Sequence, residues 1–211
     1  MQITNFTYYE KAKGISGNSL GQISSSYFID TANKIIADQQ ARVGRFLTYK
    51  QKLYELKFRT ESIQKFEYQS GSILLSRTNS LISMQNTLEK QGLDLLINVD
   101  RIQKNPLVLA ITGNTEFYKY SSEETTQRIN TLFSDLKNMW NLSITLNSNL
   151  STHESNINKL EKDILSKEKE LSGQGFVPQV TKALSQPVEM FKWIAIIGVV
   201  GLGAYILFMR K

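Results

Sequence analysis

Cysteine is absent from the 211 residues, histidine occurs once and proline three times. Without cysteine there is no disulfide framework, no thiolate zinc or iron–sulfur site and no thiol nucleophile. One histidine, His153, leaves little for acid–base catalysis or metal binding, and no carboxylate pair sits at ligand spacing beside it. The sequence contains no GxxxxGK[ST] phosphate loop, no GxSxG elbow and no HExxH pair. The expectation is a protein that is not an enzyme and has no catalytic residues, no metal and no cofactor. The N-terminal MQITNFTYYEKAKGIS lacks a basic start followed by an apolar run, so no signal peptide is expected.

Charge of one sign is not scarce but it is partitioned. Lys and Arg number 25 against 19 Asp and Glu, a net +6. Residues 1–110 carry +5, residues 111–172 carry −2 and residues 173–211 carry +3. The basic groups are interleaved with acids and face an acidic stretch, so nucleic acid is not expected as a partner.

Only one long hydrophobic run is present. Trp193–Met209, WIAIIGVVGLGAYILFM, has 17 residues without a charge, between Lys192 and the pair Arg210–Lys211. At 1.5 Å per residue it spans about 26 Å, the short end of a bilayer core. Trp193 and Tyr205 lie near its two ends, where aromatic belts sit, and Arg210 and Lys211 can reach headgroups. Ala195, Gly198, Gly201 and Ala204 recur every third residue and form a low ridge through which two such helices could associate. A hydrophobic segment that emerges last reads as a tail anchor, with the N-terminal bulk on the side of synthesis.

Residues 122–172 have the clearest periodicity. Ile129, Leu132, Leu136, Met139, Ser143, Leu146, Leu150, His153, Ile157, Leu160, Ile164, Lys167 and Leu171 follow 3-4 spacing without a slip. Ser121-x-x-Glu124 offers a capping box, and Gly173, Gly175 and Pro178 stop the helix. Upstream, an apolar stripe from Leu53 through Leu56, Ile63, Phe66, Ile73, Leu81, Met84, Leu88, Leu95 and Val99 to Ile102 predicts a second long helix. Pro106 ends it and Ser70-Gly71-Ser72 is its weak point. If these two fold back about Gly113-Asn114, residues whose numbers sum to about 227 face each other, which sets Lys57, Arg59 and Lys65 near Glu161 to Glu170. Tyr27, Phe28, Ala32, Ile35, Val43, Phe46 and Leu47 mark a further helix with a soft spot at Gly44.

Between the long helices, PLVLAITGNTEFYKY at 106–120 has two β-prone runs around Gly113-Asn114 and predicts a small β-hairpin tip. Leu107, Leu109, Phe117, Tyr118 and Tyr120 would form a partner-contact patch there.

The resulting expectation is a mainly α chain. An arm at 1–22 precedes a long antiparallel helical hairpin or three-helix bundle at 23–172, coiled-coil-like and carrying the hairpin tip. A linker at 173–187 then leads to one C-terminal transmembrane helix at 188–211. The expected function is a membrane-anchored structural scaffold or spacer that links a lipid bilayer to a protein partner in a larger assembly. By analogy with tail-anchored coiled coils, a minor structural protein of a virion, joining its membrane to a capsid shell, is one form of this. A lysis, pore-forming or membrane-fusion protein is the alternative.

Overall fold

The computed structural model describes residues 25–113 and 123–178. Within them the chain is helical: α1 (Ser25–Phe66), α2 (Tyr68–Gln103), α3 (Pro106–Gly113) and α4 (Glu123–Ser172), with no strand among the described residues. The chain divides into two compact units. The first takes residues 25–40, 92–113 and 123–145; the second takes Ala41–Gln91 and residues 146–178, so α1, α2 and α4 each contribute to both.

Each long helix has a heptad seam. On α4, Ile129, Leu136, Ser143, Leu146, Leu150, His153, Ile157, Leu160, Ile164 and Leu171 are buried as their spacing requires, while Leu132, Met139 and Lys167 are half-buried. On α1 the seam runs Phe28, Ala32, Ile35, Gln39, Arg42, Phe46, Tyr49, Leu53, Leu56, Thr60 and Ile63, all buried, at unbroken 4-3 spacing straight through Gly44. The helix at 27–47 and the start of the one at 53 are thus a single helix of 42 residues. On α2 the seam is Gly71, Leu74, Thr78, Leu81, Gln85, Leu88, Gly92, Leu95, Val99 and Ile102.

The helical stretch expected from 53 to 105, with a break or kink left open at Ser70-Gly71-Ser72, belongs to two helices. The break falls at Glu67, not at Ser70-Gly71-Ser72, and the chain reverses there. In the second unit Gln64 pairs with Ser72, Lys50 with Glu89, and Gln85 with the Phe46 carbonyl, so α2 runs antiparallel to α1. Around the reversal part of the stripe faces outward: Phe66, Ile73 and Met84 are exposed while Leu74, Thr78 and Gln85 take the core, and from Leu88 through Leu95 and Val99 to Ile102 the stripe is buried as expected. Gly71 makes the sharp turn feasible. A Cβ there would collide with the backbone of Gln64, so only glycine lets α2 start so close to α1.

The antiparallel pairing about Gly113-Asn114 is corrected for residues 53–66, which belong to α1, whereas α2 does run antiparallel to α4, with Arg77 meeting Asp163 at 2.8 Å. Arg45 meets Glu154, Lys52 meets Glu161 and Arg59 meets Glu168, at a constant offset of 109 residues. A constant difference means that α1 and α4 run parallel. Arg59–Glu168 is the coincidence, because its numbers also sum to 227. In the first unit the parallel sense recurs, with Phe28 edge-on to Phe133 at 5.7 Å and Lys34 over the Trp140 ring at 4.9 Å, while Asn33 pairs with Gln103 of antiparallel α2. In each unit the segments of the three long helices run up-down-up, and the first unit also carries α3.

The hairpin tip is overturned for its first half. Leu107 to Ile111 are helical, because Asn105-Pro106 is an N-cap followed by proline at the first helical position. The Asn105 Oδ1 accepts the Leu107 N–H at 2.9 Å, and Leu109 N–H returns to the Asn105 carbonyl. α4 ends in a Schellman motif: Phe176 N–H donates to Leu171 O and Gly175 N–H to Ser172 O, with Gly175 at φ 93°.

Candidate functional site

The sequence singled out three places: the uncharged run, the tip and His153. Trp193, Gly198, Gly201, Tyr205, Arg210 and Lys211 lie outside the described residues, as do Phe117, Tyr118 and Tyr120. Among the described residues no helix is long and apolar enough to cross a membrane. Leu107 is half-buried and Leu109 exposed on α3, with Val108 between them buried, so the described part of the tip packs one side of a short helix inward.

His153 is fully buried on the α4 seam in the second unit, and neither ring nitrogen has a hydrogen-bond partner. Its ring lies edge-on to Tyr49 at 6.4 Å. Burial pushes its pKa below the ordinary value, so the ring sits neutral in the core. The hydroxyl of Tyr49 beside it is tied elsewhere. The Tyr49 hydroxyl bonds Glu154 and accepts a hydrogen bond from Arg45, which also donates to Glu154. The Tyr49 bond is the main cause that holds the Glu154 carboxyl below the usual range. Gln85 donates to Phe46 O at 3.0 Å and to Glu89 at 2.9 Å, and Glu89 is paired with Lys50. A neutral, buried imidazole with no hydrogen-bond partner has no proton relay among the described residues. Its physical effect is on stability and its pH dependence. Among the described residues no cluster of three or more His, Asp or Glu is placed to hold a metal ion.

About four turns further along α4, the Arg59 guanidinium grips Glu168 through Nε and Nη2, at 2.9 and 2.5 Å, and both side chains are buried. The Glu168 hydrogen bonds are the main cause that raises the Arg59 pKa above its ordinary value. Fully burying a Leu or Ile contributes about 2 kcal/mol, and an exposed ion pair at most about 1 kcal/mol. The apolar seam therefore supplies the stability, while a desolvated bidentate pair sets register, because any slip leaves a buried charge alone.

The last cluster is at the α1–α2 turn. Phe66 stacks edge-on to Phe176 at 5.4 Å, and Glu67 pairs with Lys167 at 2.6 Å. This puts the α1–α2 turn and the segment that follows α4 at one end of the second unit. Phe66, Tyr68 and Val177 are exposed there, the last two at 76% and 77%. Apolar periodicity alone missed this cluster, because it depends on where α1 reverses; the signal that could have found it is Gly71, four residues after the break. Comparison of the chain with family models, with curated proteins and with solved structures finds no match.

Proposed function

We propose that the chain is a membrane-anchored structural spacer: a stiff helical bundle whose C-terminal run, Trp193–Met209, inserts in a bilayer and whose helical part presents a protein partner in a larger assembly, a virion shell being one such setting. The observation that carries this reading is the combination of three long heptad-seamed helices, with a buried register-setting pair in Arg59–Glu168, and a single 17-residue uncharged run close behind them. Within a unit, packing of this kind resists register slip, which a spacer requires and an adaptable binding pocket does not.

Alkaline extraction of membranes from cells that express the full chain tests the anchor. The full chain is expected to stay with the membrane, and a form that lacks residues 188–211 to be released as a strongly helical protein. A truncated form that stays membrane-bound would overturn the single-anchor reading. Dye-loaded vesicles test the mode of action. Retained dye on reconstitution supports a spacer; release of dye at low protein-to-lipid ratio would favour the lysis or pore-forming reading. Recovery of the native complex in mild detergent then identifies the partner.

A further inference from the structure

We infer that the α1–α2 turn end of the second unit is a bilayer-contact face, which lies on anionic lipid headgroups beside the anchor. The inference rests on the membrane-anchor reading above and adds a second point of attachment to it.

Three observations converge on this end. The first is apolar. Phe66, Tyr68 and Val177 are exposed together although the heptad seams have core positions to spare for none of them, and the Phe66–Phe176 contact holds the turn and the departing chain side by side. Aromatic rings with one polar edge are the side chains that gain most at a membrane–water interface.

The second is charge. The acids of this end are all in ion pairs: Glu168 with Arg59, Glu61 with Lys57, and Glu67 and Glu170 with the one Lys167, which leaves a single acid charge over. Lys65 in the last turn of α1 and Lys169 in the last turn of α4 are exposed, and neither has an ion-pair partner among the described residues. Because α1 and α4 are parallel, both lysines fall at the same end as the exposed aromatics. The outcome is an apolar-aromatic cluster flanked by two cations outside any ion pair, which outnumber the one acid charge that Lys167 leaves over and give this end a net positive charge toward an anionic headgroup surface. Each lysine near such a surface is worth about fivefold in affinity.

The third is reach. The described chain leaves this end at Pro178, and Trp193 follows 15 residues later. At full extension that segment spans about 50 Å. An inserted anchor therefore keeps the face within a short tether of the headgroups, so a weak contact is repeatedly sampled and need not be strong to be occupied.

The absence of native cysteine makes the test direct. The full chain is reconstituted in vesicles of phosphatidylcholine alone or with phosphatidylserine. It carries one environment-sensitive fluorophore at Tyr68→Cys, at Ser83→Cys or at Ala204→Cys, and lipid-borne nitroxides serve as quencher. Ser83 is an exposed residue of α2, about 22 Å along the helix from Tyr68. The expected result is strong quenching at 204 and clear quenching at 68 that grows with phosphatidylserine. The label at 83 should keep its intensity. Reversing Lys65→Glu and Lys169→Glu should abolish the phosphatidylserine dependence at 68 without a change at 204. Quenching at 204 with none at 68 overturns the inference and leaves the anchor standing, and makes a protein partner the occupant of this face. No quenching at 204 overturns the anchor itself; if 68 is still quenched, the face contacts lipid without it, and if 68 is silent as well, both readings fall.

Discussion

The two units are built on the same three helices, yet they fill their interiors with different chemistry. Among the described residues every buried charged side chain, Arg42, Arg59 and Glu168, lies in the second unit, and so do buried Gln85 and His153. The first unit buries Thr31, Gln39, Gln103 and Ser143, and sets Phe28 against Phe133 and Lys34 against the Trp140 ring. One interior is mostly apolar with uncharged polar interruptions; the other also holds charges, among them the Arg59–Glu168 pair, which tolerates only one arrangement. The lesson is about specificity. Apolar seams of equal spacing can slip by a heptad at modest cost, whereas a bidentate Arg–Glu pair in a dry interior has a single register. The more discriminating unit is the one from whose end the chain runs on toward the uncharged segment.

Substitutions can break this contrast. The largest effect is expected from Glu168→Ala, which leaves the Arg59 guanidinium buried without its bidentate partner, with Glu55 at 4.0 Å as a weaker one, and should cost about 3–5 kcal/mol by denaturant titration. Phe28→Ala in the first unit should cost a similar amount, about 3–5 kcal/mol, through a cavity. The two differ in rescue. Combining Arg59→Met with Glu168→Leu should recover most of the loss, because no charge is then left buried, whereas no charge change should rescue Phe28→Ala.

Smaller effects sharpen the comparison inside the second unit. Gly71→Ala should destabilise by about 1–3 kcal/mol, since overpacking against the Gln64 backbone outweighs the gain in helix propensity. Gly44→Ala, exposed on α1 with open space at its Cβ, should instead stabilise by about 1 kcal/mol.

His153→Leu removes two unpartnered nitrogens and should stabilise by about 1 kcal/mol or more. It should also change the acid response. The folded pKa of His153 lies below the unfolded value of 6.5, so on acidification the unfolded chain takes up a proton first. Stability therefore falls as pH drops through 6.5 towards the folded value, by up to about 1.4 kcal/mol per pH unit. Thermal melts of the Leu variant should lack that component. They should keep the loss at lower pH, where the lowered carboxyls of Glu67 and Glu154 become protonated.

Much of the fold was legible where the seam is apolar. α4 could be read from end to end, because the spacing of its apolar residues and its terminal glycines agree with one helix. α1 and α2 were harder for a physical reason: their seams include Gln39, Arg42, Thr60, Gly71, Thr78, Gln85 and Gly92, which an apolar stripe does not register. Ile63, Phe66 and Ile73 keep helical spacing across the break at Glu67, so the reversal left no gap in the pattern. The tip misled in the opposite direction. Leu-Val-Leu-Ala-Ile is β-prone as an isolated run, but the Asn105 cap and Pro106 decide locally for helix. Of the candidate site residues, His153 was placed correctly on the seam. The cluster around Phe66, Tyr68 and Val177 required the turn, and hence the parallel course of α1 and α4, before it could be seen.

That parallel course is the claim on which the turn-end face and the register code both depend, and it can be tested with paired cysteines in the otherwise cysteine-free full chain. The parallel offset of 109 sets position 52 beside position 161, and leaves position 65 about 20 Å along the helix axis from it. A short thiol cross-linker is expected to join Lys52→Cys to Glu161→Cys within one chain, and to leave the pair Lys65→Cys and Glu161→Cys open. Efficient closure of 65 to 161 with none of 52 to 161 would contradict the account and restore the antiparallel pairing.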